Sequence, residues 1–315
     1  MIRTLALAVC LALLLPAGPG RAQEYDMNIV TGGASGTYIQ IGKDIAAIAA
    51  ECGVTLKVNE SAGSIENVMA VRDRPRTQLG IAQSDVLEYV RTFQSEDPVL
   101  ARAAKGIRIV FPLYDEEIHV LAKNNDIRTF DQLKGKKVAV GPEKSGSALT
   151  AEVLLAGFDL TVERVFDAPE QAIKKLQAGE IDALIFIGGA PVPAFANLDR
   201  SFHFVALPLD AGLEQIYLKK TIAKSVYAWA DAIETYAVPS VIMTRNRDES
   251  DYATTVQKLV LAILVNKENL DATGHPKWKD SYVRSTLGNA GYRPTTDVIQ
   301  LFNTLESIGY RILKK

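Results

Sequence analysis

The chain has 315 residues, 35 Lys and Arg against 37 Asp and Glu, and a formal net charge of −2. That balance lacks the basic footprint of a nucleic-acid binder, while the length suffices for a large apolar core. Three histidines and two cysteines leave little material for a metal cluster or a disulfide framework.

The amino terminus reads as an export signal. Arg3 supplies the positive region, residues 5–15 are an apolar run, and Gly20 and Ala22 stand three and one before a cut. The mature chain is then expected to begin at Gln23, with residues 1–22 removed and the product periplasmic in a Gram-negative host. The run is short of the roughly 20 residues that span a bilayer. A lipoprotein reading through Cys10 conflicts with bulky Val9 and with the apolar residues that continue past the cysteine. Signal removal would leave only Cys52, so no intrachain disulfide is expected. Residues 259–265, the longest later apolar run, are also too short to span.

Residues 27–30 predict a strand, and a helix follows with Tyr38, Ile41, Ile45 and Ile48 on one face. Between them lies Gly32-Gly33-Ala34-Ser35-Gly36-Thr37. A glycine-rich turn from strand to helix start aims free backbone N–H groups at one point, the arrangement that holds an anion. Val54, Leu56 and Val58 alternate with polar residues as a strand does. Ser61-Ala62-Gly63-Ser64 follows, then a helix carrying Ile65, Asn67, Val68 and Met69, for which Ser64 is a natural N-cap. Residues 79–82 form a third strand. Gln83-Ser84-Asp85 follows, then a helix with Val86, Tyr89, Val90 and Phe93 on one face. Three strand-loop-helix units predict a parallel α/β sheet whose loops share the edge at the carboxyl ends of the strands.

Residues 107–114 and 118–123 predict two further strands, separated by Asp115-Glu116-Glu117 after Pro112. This break reads as a crossing between lobes. The second lobe repeats the pattern: a strand at 137–140, the loop from Gly141 to Ser147, and a helix over 149–155. A buried strand at 183–187 then ends in Gly188-Gly189-Ala190-Pro191. A linking strand at 238–244 returns the chain to the first lobe, which helices after Asp251 complete. The expected architecture is α/β and two-lobed. Residues 23–114 with 240–315 form lobe one, 115–239 form lobe two, and each lobe is a mostly parallel sheet flanked by helices around a shared ligand cleft.

An enzymatic reading finds little to use. His119, His203 and His275 have no second ligand at metal-binding spacing and read as structural. Cys52, at a helix C-terminus, reads as an apolar filler. No nucleophile elbow, Walker loop or dinucleotide fingerprint occurs. Ser35, Thr37, Ser64, Ser84 and Ser147 each suit helix capping, but five such starts in two lobes, all after strands, suit ligand contact as well. Tyr38 fits the core face of its helix, Gln83 and Asp85 fit a solvated loop, and Asn67 fits simple packing in a first turn. Lys144 reads as exposed, with charge to lend to an anion.

Residues 31–38, Thr-Gly-Gly-Ala-Ser-Gly-Thr-Tyr, resemble the signature of the TAXI family, the solute receptors of tripartite ATP-independent periplasmic (TRAP) transporters. Gly63-Ser64-Ile65-Glu66-Asn67 resembles its Gly-Ser-x-Glu-Asn segment. Gln83-Ser84-Asp85-Val86 resembles its Gln-Ser-Asp turn, and residues 188–191 its Gly-x-Pro turn. Ser35, Gln40, Lys144 and Ser147 depart from the usual pattern and bear on ligand identity more than on fold. The resemblance implies a receptor and not an enzyme, one that closes on a small carboxylate such as glutamate, a dicarboxylate or a 2-oxo acid and delivers it to a TRAP permease. No cofactor and no metal are expected, and a monomer is. The candidate ligand set is Gly33, Ser35, Gly36, Thr37, Tyr38, Ser64, Asn67, Gln83, Ser84, Asp85 and Tyr114 on one side. Ser145, Gly146, Ser147, Gly188 and Pro191 stand on the other. A binding subunit of an ABC importer or sensor, or a periplasmic hydrolase using a loop serine, are the alternatives.

Overall fold

The computed structural model describes residues 27–281 apart from 94, 124–125, 209, 211 and 246–249. The export signal and the end of the chain lie outside the described residues. One curled sheet runs through the molecule in the order β2-β1-β3-β10-β4-β7-β5-β6. The first half contains β1 (Met27–Val30), β2 (Leu56–Asn59) and β3 (Leu79–Gln83), with β1 parallel to both neighbours. The second half contains β5 (Lys137–Ala139), β6 (Glu163–Val165) and β7 (Ala183–Gly188), with β5 parallel to both neighbours. Two long antiparallel strands, β4 (Ile107–Lys123) and β10 (Ile233–Arg245), join the halves. The short strands β8 (Phe202–Phe204) and β9 (Leu218–Ile222) add to β4 and β10 respectively.

The helices follow the strands as the apolar spacing requires. They are α1 (Thr37–Glu51), α2 (Ser64–Asp73), α3 (Ser84–Phe93) and α4 (Pro98–Ala104), then α5 (Gly146–Gly157) and α6 (Pro169–Ala178), and finally α7 (Ser250–Val265) and α8 (Lys267–Thr273). In α1 the fully buried stripe Ile41, Ile45 and Ile48 packs with Ile81, Phe111, Ile242 and Leu259 on one face of the first half-sheet. Each such side chain contributes roughly 1.5–3 kcal/mol by leaving water. On the opposite face Val68, Val71, Val86 and Val90 pack with Ile109 and Met243. The second half has its own two layers, one around Val138, Leu154 and Ile185, the other around Leu176, Leu184 and Phe195. Helices therefore cover both faces of each half.

The expected break at the acidic triplet is absent. β4 is one strand of 17 residues, about 55 Å long at a rise of roughly 3.3 Å per residue. Local propensity disfavours three consecutive carboxylates in a strand, but tertiary partners override it. Asp115 pairs with Lys220 at 3.0 Å, and Glu117 accepts from the Ala190 N–H at 2.8 Å and pairs with buried Lys277. Pro239 sits opposite Asp115 where the β10 register shifts, and a bulge is where a strand tolerates a missing N–H. β10 also begins earlier than the predicted residue 238, because Ile233 to Ala237 pair with β9.

Candidate functional site

A cavity of about 160 Å³ lies where the two halves meet, at the carboxyl ends of the parallel strands. Four helix N-termini border it: Gly36-Thr37-Tyr38 of α1, Gly63-Ser64 of α2, Ser145-Gly146-Ser147 of α5 and Ala168-Pro169 of α6. The N-caps of α1, α2 and α6 are Gly36, Gly63 and Ala168, and none of them gives a side-chain cap. Cap residues without an acceptor side chain leave the positive end of the helix to other partners.

Three of the hydroxyls read as caps, those of Thr37, Ser64 and Ser147, have other partners. Thr37 Oγ1 donates to the Gly189 carbonyl at 2.7 Å, joining α1 to the turn after β7. Ser64 Oγ accepts the Gln83 N–H at 3.2 Å and hydrogen-bonds the Tyr38 hydroxyl at 3.3 Å. Ser147 Oγ accepts the Ile187 N–H at 3.0 Å. The hydroxyl that does cap is Ser145, whose Oγ accepts the Ala148 N–H at 3.0 Å.

Among the predicted residues, Gly33, Ser35, Gly36, Thr37, Tyr38, Ser64, Gln83, Ser145, Gly146, Ser147 and Gly188 all line the cavity. Asn67, Ser84, Asp85, Tyr114 and Pro191 do not. Asn67 is fully buried as a cross-brace, donating to the carbonyls of Thr31 and Ile81 at 2.5 and 2.7 Å and accepting from Ser61 Oγ at 2.6 Å. Ser84 is the first residue of α3. Asp85 accepts from Thr150 Oγ1 at 2.6 Å and from the Tyr217 hydroxyl at 3.3 Å, both in the second half. Burial raises its carboxyl to about 6 despite those donors. Tyr114 is buried beside Gly189. Pro191 accepts at its carbonyl from His275 Nε2 at 3.2 Å. Lys144 is exposed, and its carbonyl accepts the Glu66 N–H at 3.0 Å.

The halves approach closely at two glycines. Gly63 has φ +129°, and a Cβ there would sit 3.2 Å from Ser145 Cα, so both its backbone and the space require glycine. Gly146 presents its Cα to Gln83 and Ser64, with no room for a methyl between them.

Several buried polar atoms around the cavity have no protein hydrogen-bond partner: Ser35 Oγ, both amide atoms of Gln83, and Glu116 Oε1. Gln83 is 1% and Glu116 2% exposed. Buried polar groups are paired in the great majority of cases, so these atoms mark a place for a polar guest or for water. Glu116 escaped the sequence reading because an acidic triplet in a presumed linker reads as solvated. Burial and the nearby Asp85 and Glu117 push its carboxyl well above the ordinary range, although Tyr38 and Ser240 hydrogen-bond it. Ser61, Gly63, Phe186 and the α6 start were also missed. Pro169 followed by Glu170 after a strand was the signal available for α6. The described residues contain no group of three or more His, Cys, Asp and Glu placed to hold a metal ion.

Residues 29–289 match the model of the NMT1-like family. Among solved structures, one described as a periplasmic transporter aligns with a TM-score of 0.55 at 11% identity, over 93% of this chain and 98% of its own. A protein of Bordetella bronchiseptica RB50 aligns at 0.52 and 15% identity, over 90% of this chain and 82% of its own. The GluR0 ligand-binding core of Nostoc punctiforme, in complex with L-glutamate, aligns at 0.48 and 19% identity, over 80% and 95%. The fold is that of the two-lobed periplasmic binding proteins.

Proposed function

Because the chain belongs to the NMT1-like family and shares its fold with a periplasmic transporter, we propose that it is an extracytoplasmic solute receptor for a small carboxylate. The observation that carries this reading is the cavity itself: four helix N-termini, three of them without side-chain caps, around buried polar atoms that lack partners. A helix N-terminus acts as about half a positive charge, and a hydrogen bond to a charged acceptor contributes roughly 1.5–3 kcal/mol. The volume of about 160 Å³ compares with the roughly 150 Å³ engineered cavity that admits benzene. A ligand of amino-acid size suits it, and a nucleotide does not.

On this reading lobe one is 23–114 with 240–315, lobe two is 115–239, and β4 and β10 are the hinge. Ligand favours closure through contacts absent from the open form. The bonds from Thr37 to Gly189, from Glu66 to Lys144 and from Thr150 to Asp85 are then closed-form contacts. The TAXI-like motifs support delivery to a TRAP permease, with transport driven by an ion gradient at the membrane subunits and the receptor acting as a monomer. No helix among the described residues is long and apolar enough to cross a membrane, which is compatible with an exported, periplasmic protein. The hydrolase alternative lacks a histidine partner for a loop serine, since none of the described residues that line the cavity is a histidine.

The test is a thermal-shift screen of amino acids and organic acids on the mature protein. Ligand at 100 times its Kd adds about 2.7 kcal/mol of stability. A carboxylate among the stabilising compounds is the expected result; stabilisation by sugars or cations alone overturns the assignment.

A further inference from the structure

Among the described residues, the cavity lining pairs helix N-termini with one carboxyl group and no basic side chain. No Lys, Arg or His appears among the described residues that line it, whereas Glu116 does. The groups facing Glu116 are Tyr38 from α1, Asp85 from the start of α3, Ser240 from β10, and Tyr114 and Glu117 from its own strand. None is a cation. Buried Lys277 is engaged by Glu117 and by Asp280, the latter at 2.9 Å. A second carboxylate on the ligand would therefore meet an acid and no positive side chain. An ammonium group has three donors and no acceptor, and the cavity offers it the unpartnered Glu116 Oε1 along with the unpartnered Gln83 Oε1 and Ser35 Oγ.

We propose that Glu116 is the specificity residue of this site: it receives a primary ammonium, so that the ligand is an α-amino acid whose carboxylate lies on the helix N-termini. The inference rests on the receptor reading above and narrows it from carboxylates in general to zwitterions. Burial agrees with it. A carboxylate buried this deeply without a cation beside it is disfavoured, which is why the Glu116 carboxyl is pushed up, and an adjacent cation restores the charged form. Charge pairing inside a cleft also discriminates strongly, because a wrong ligand leaves the buried acid unpaired.

The experiment compares matched trios that differ only at the α-substituent: L-alanine, L-lactate and pyruvate; L-leucine and its 2-hydroxy and 2-oxo analogues; L-glutamate, 2-hydroxyglutarate and 2-oxoglutarate. Binding to the mature protein is measured by calorimetry and thermal shift. In at least one trio the amino acid is expected to bind at least tenfold more tightly than both analogues. Glu116→Gln, with folding checked by circular dichroism, is expected to remove that preference. An oxo or hydroxy acid that binds as tightly as its amino acid overturns the assignment while leaving the receptor reading in place. Tighter binding of 2-oxoglutarate than of L-glutamate would show Glu116 acting as a neutral donor to a second carboxylate, and also overturns it. If no member of any trio binds while another carboxylate does in the wider screen, the α-amino acid assignment falls and the receptor reading stands. The wild-type trios decide the matter even if Glu116→Gln does not fold.

Discussion

Gly146→Ala tests whether the two halves must meet closely for the site to work. Gly146 is the first residue of α5 and its φ is outside the left-handed region, so alanine suits the backbone locally and removes the entropic penalty of glycine, about 0.5–1 kcal/mol in a helix interior. Across the cleft the outcome is different. The new Cβ would overlap Gln83 Oε1 and come within 2.5 Å of Gln83 Cδ and 2.8 Å of Ser64 Oγ. Gln83 has no hydrogen bond holding its amide, so it can turn away, but the cavity is the open space beside it. Either Gln83 enters the space meant for ligand or the halves stay apart. Inserting a methyl into a packed contact costs about 1–3 kcal/mol, equivalent to roughly 5- to 150-fold weaker binding. Calorimetric titration with the tightest-binding amino acid of the trios measures this. The ligand-free melting temperature should stay close to that of the wild type, because the four apolar clusters are untouched. Wild-type affinity in the variant would refute the claim that this contact belongs to the binding-competent form.

Thr37→Val removes the donor to the Gly189 carbonyl; affinity should fall by about 1–3 kcal/mol, the cost of an unpaired buried acceptor, with far-UV circular dichroism unchanged. Asn67→Ala should act on stability instead, since it removes the amide donor from the Ile81 and Thr31 carbonyls, of which Thr31 keeps Ser61 Oγ at 3.2 Å. At about 1–3 kcal/mol for the Ile81 carbonyl that loses this donor and about 2–4 °C per kcal/mol, a loss of roughly 2–12 °C in Tm is expected, and an unchanged Tm would contradict the bracing role. Burial holds His119 at about 3, below its ordinary 6.5, with the ring between the Glu117 carbonyl and the Tyr227 hydroxyl. A depressed histidine favours the folded state above pH 6.5 and loses that contribution as the pH falls. Between pH 7 and 5 the loss is about 2 kcal/mol. Asp85, raised to about 6, acts in the opposite direction, so the comparison is with His119→Gln: denaturant titrations should show the wild-type advantage shrinking over that interval, and a constant gap would count against a neutral buried ring.

The sequence by itself placed the three opening strand-loop-helix units, the loop that leads from β5 toward α5 and the turn at 188–191, because hydrophobic period and glycine-rich turns are properties of neighbouring residues. Which atoms those loops aim into the cleft was a matter for tertiary structure. The Thr37 hydroxyl meets Gly189 across 152 positions of chain, and no local pattern encodes such a pairing. The same holds for the acidic triplet: read locally it breaks a strand, yet Lys220 and Lys277 hold two of its carboxylates in β4, and the third, Glu116, is left facing the cavity. Local spacing determines where helices and strands begin. The burial and the partners of each polar atom depend on residues far away in sequence, and these decide what the site can bind.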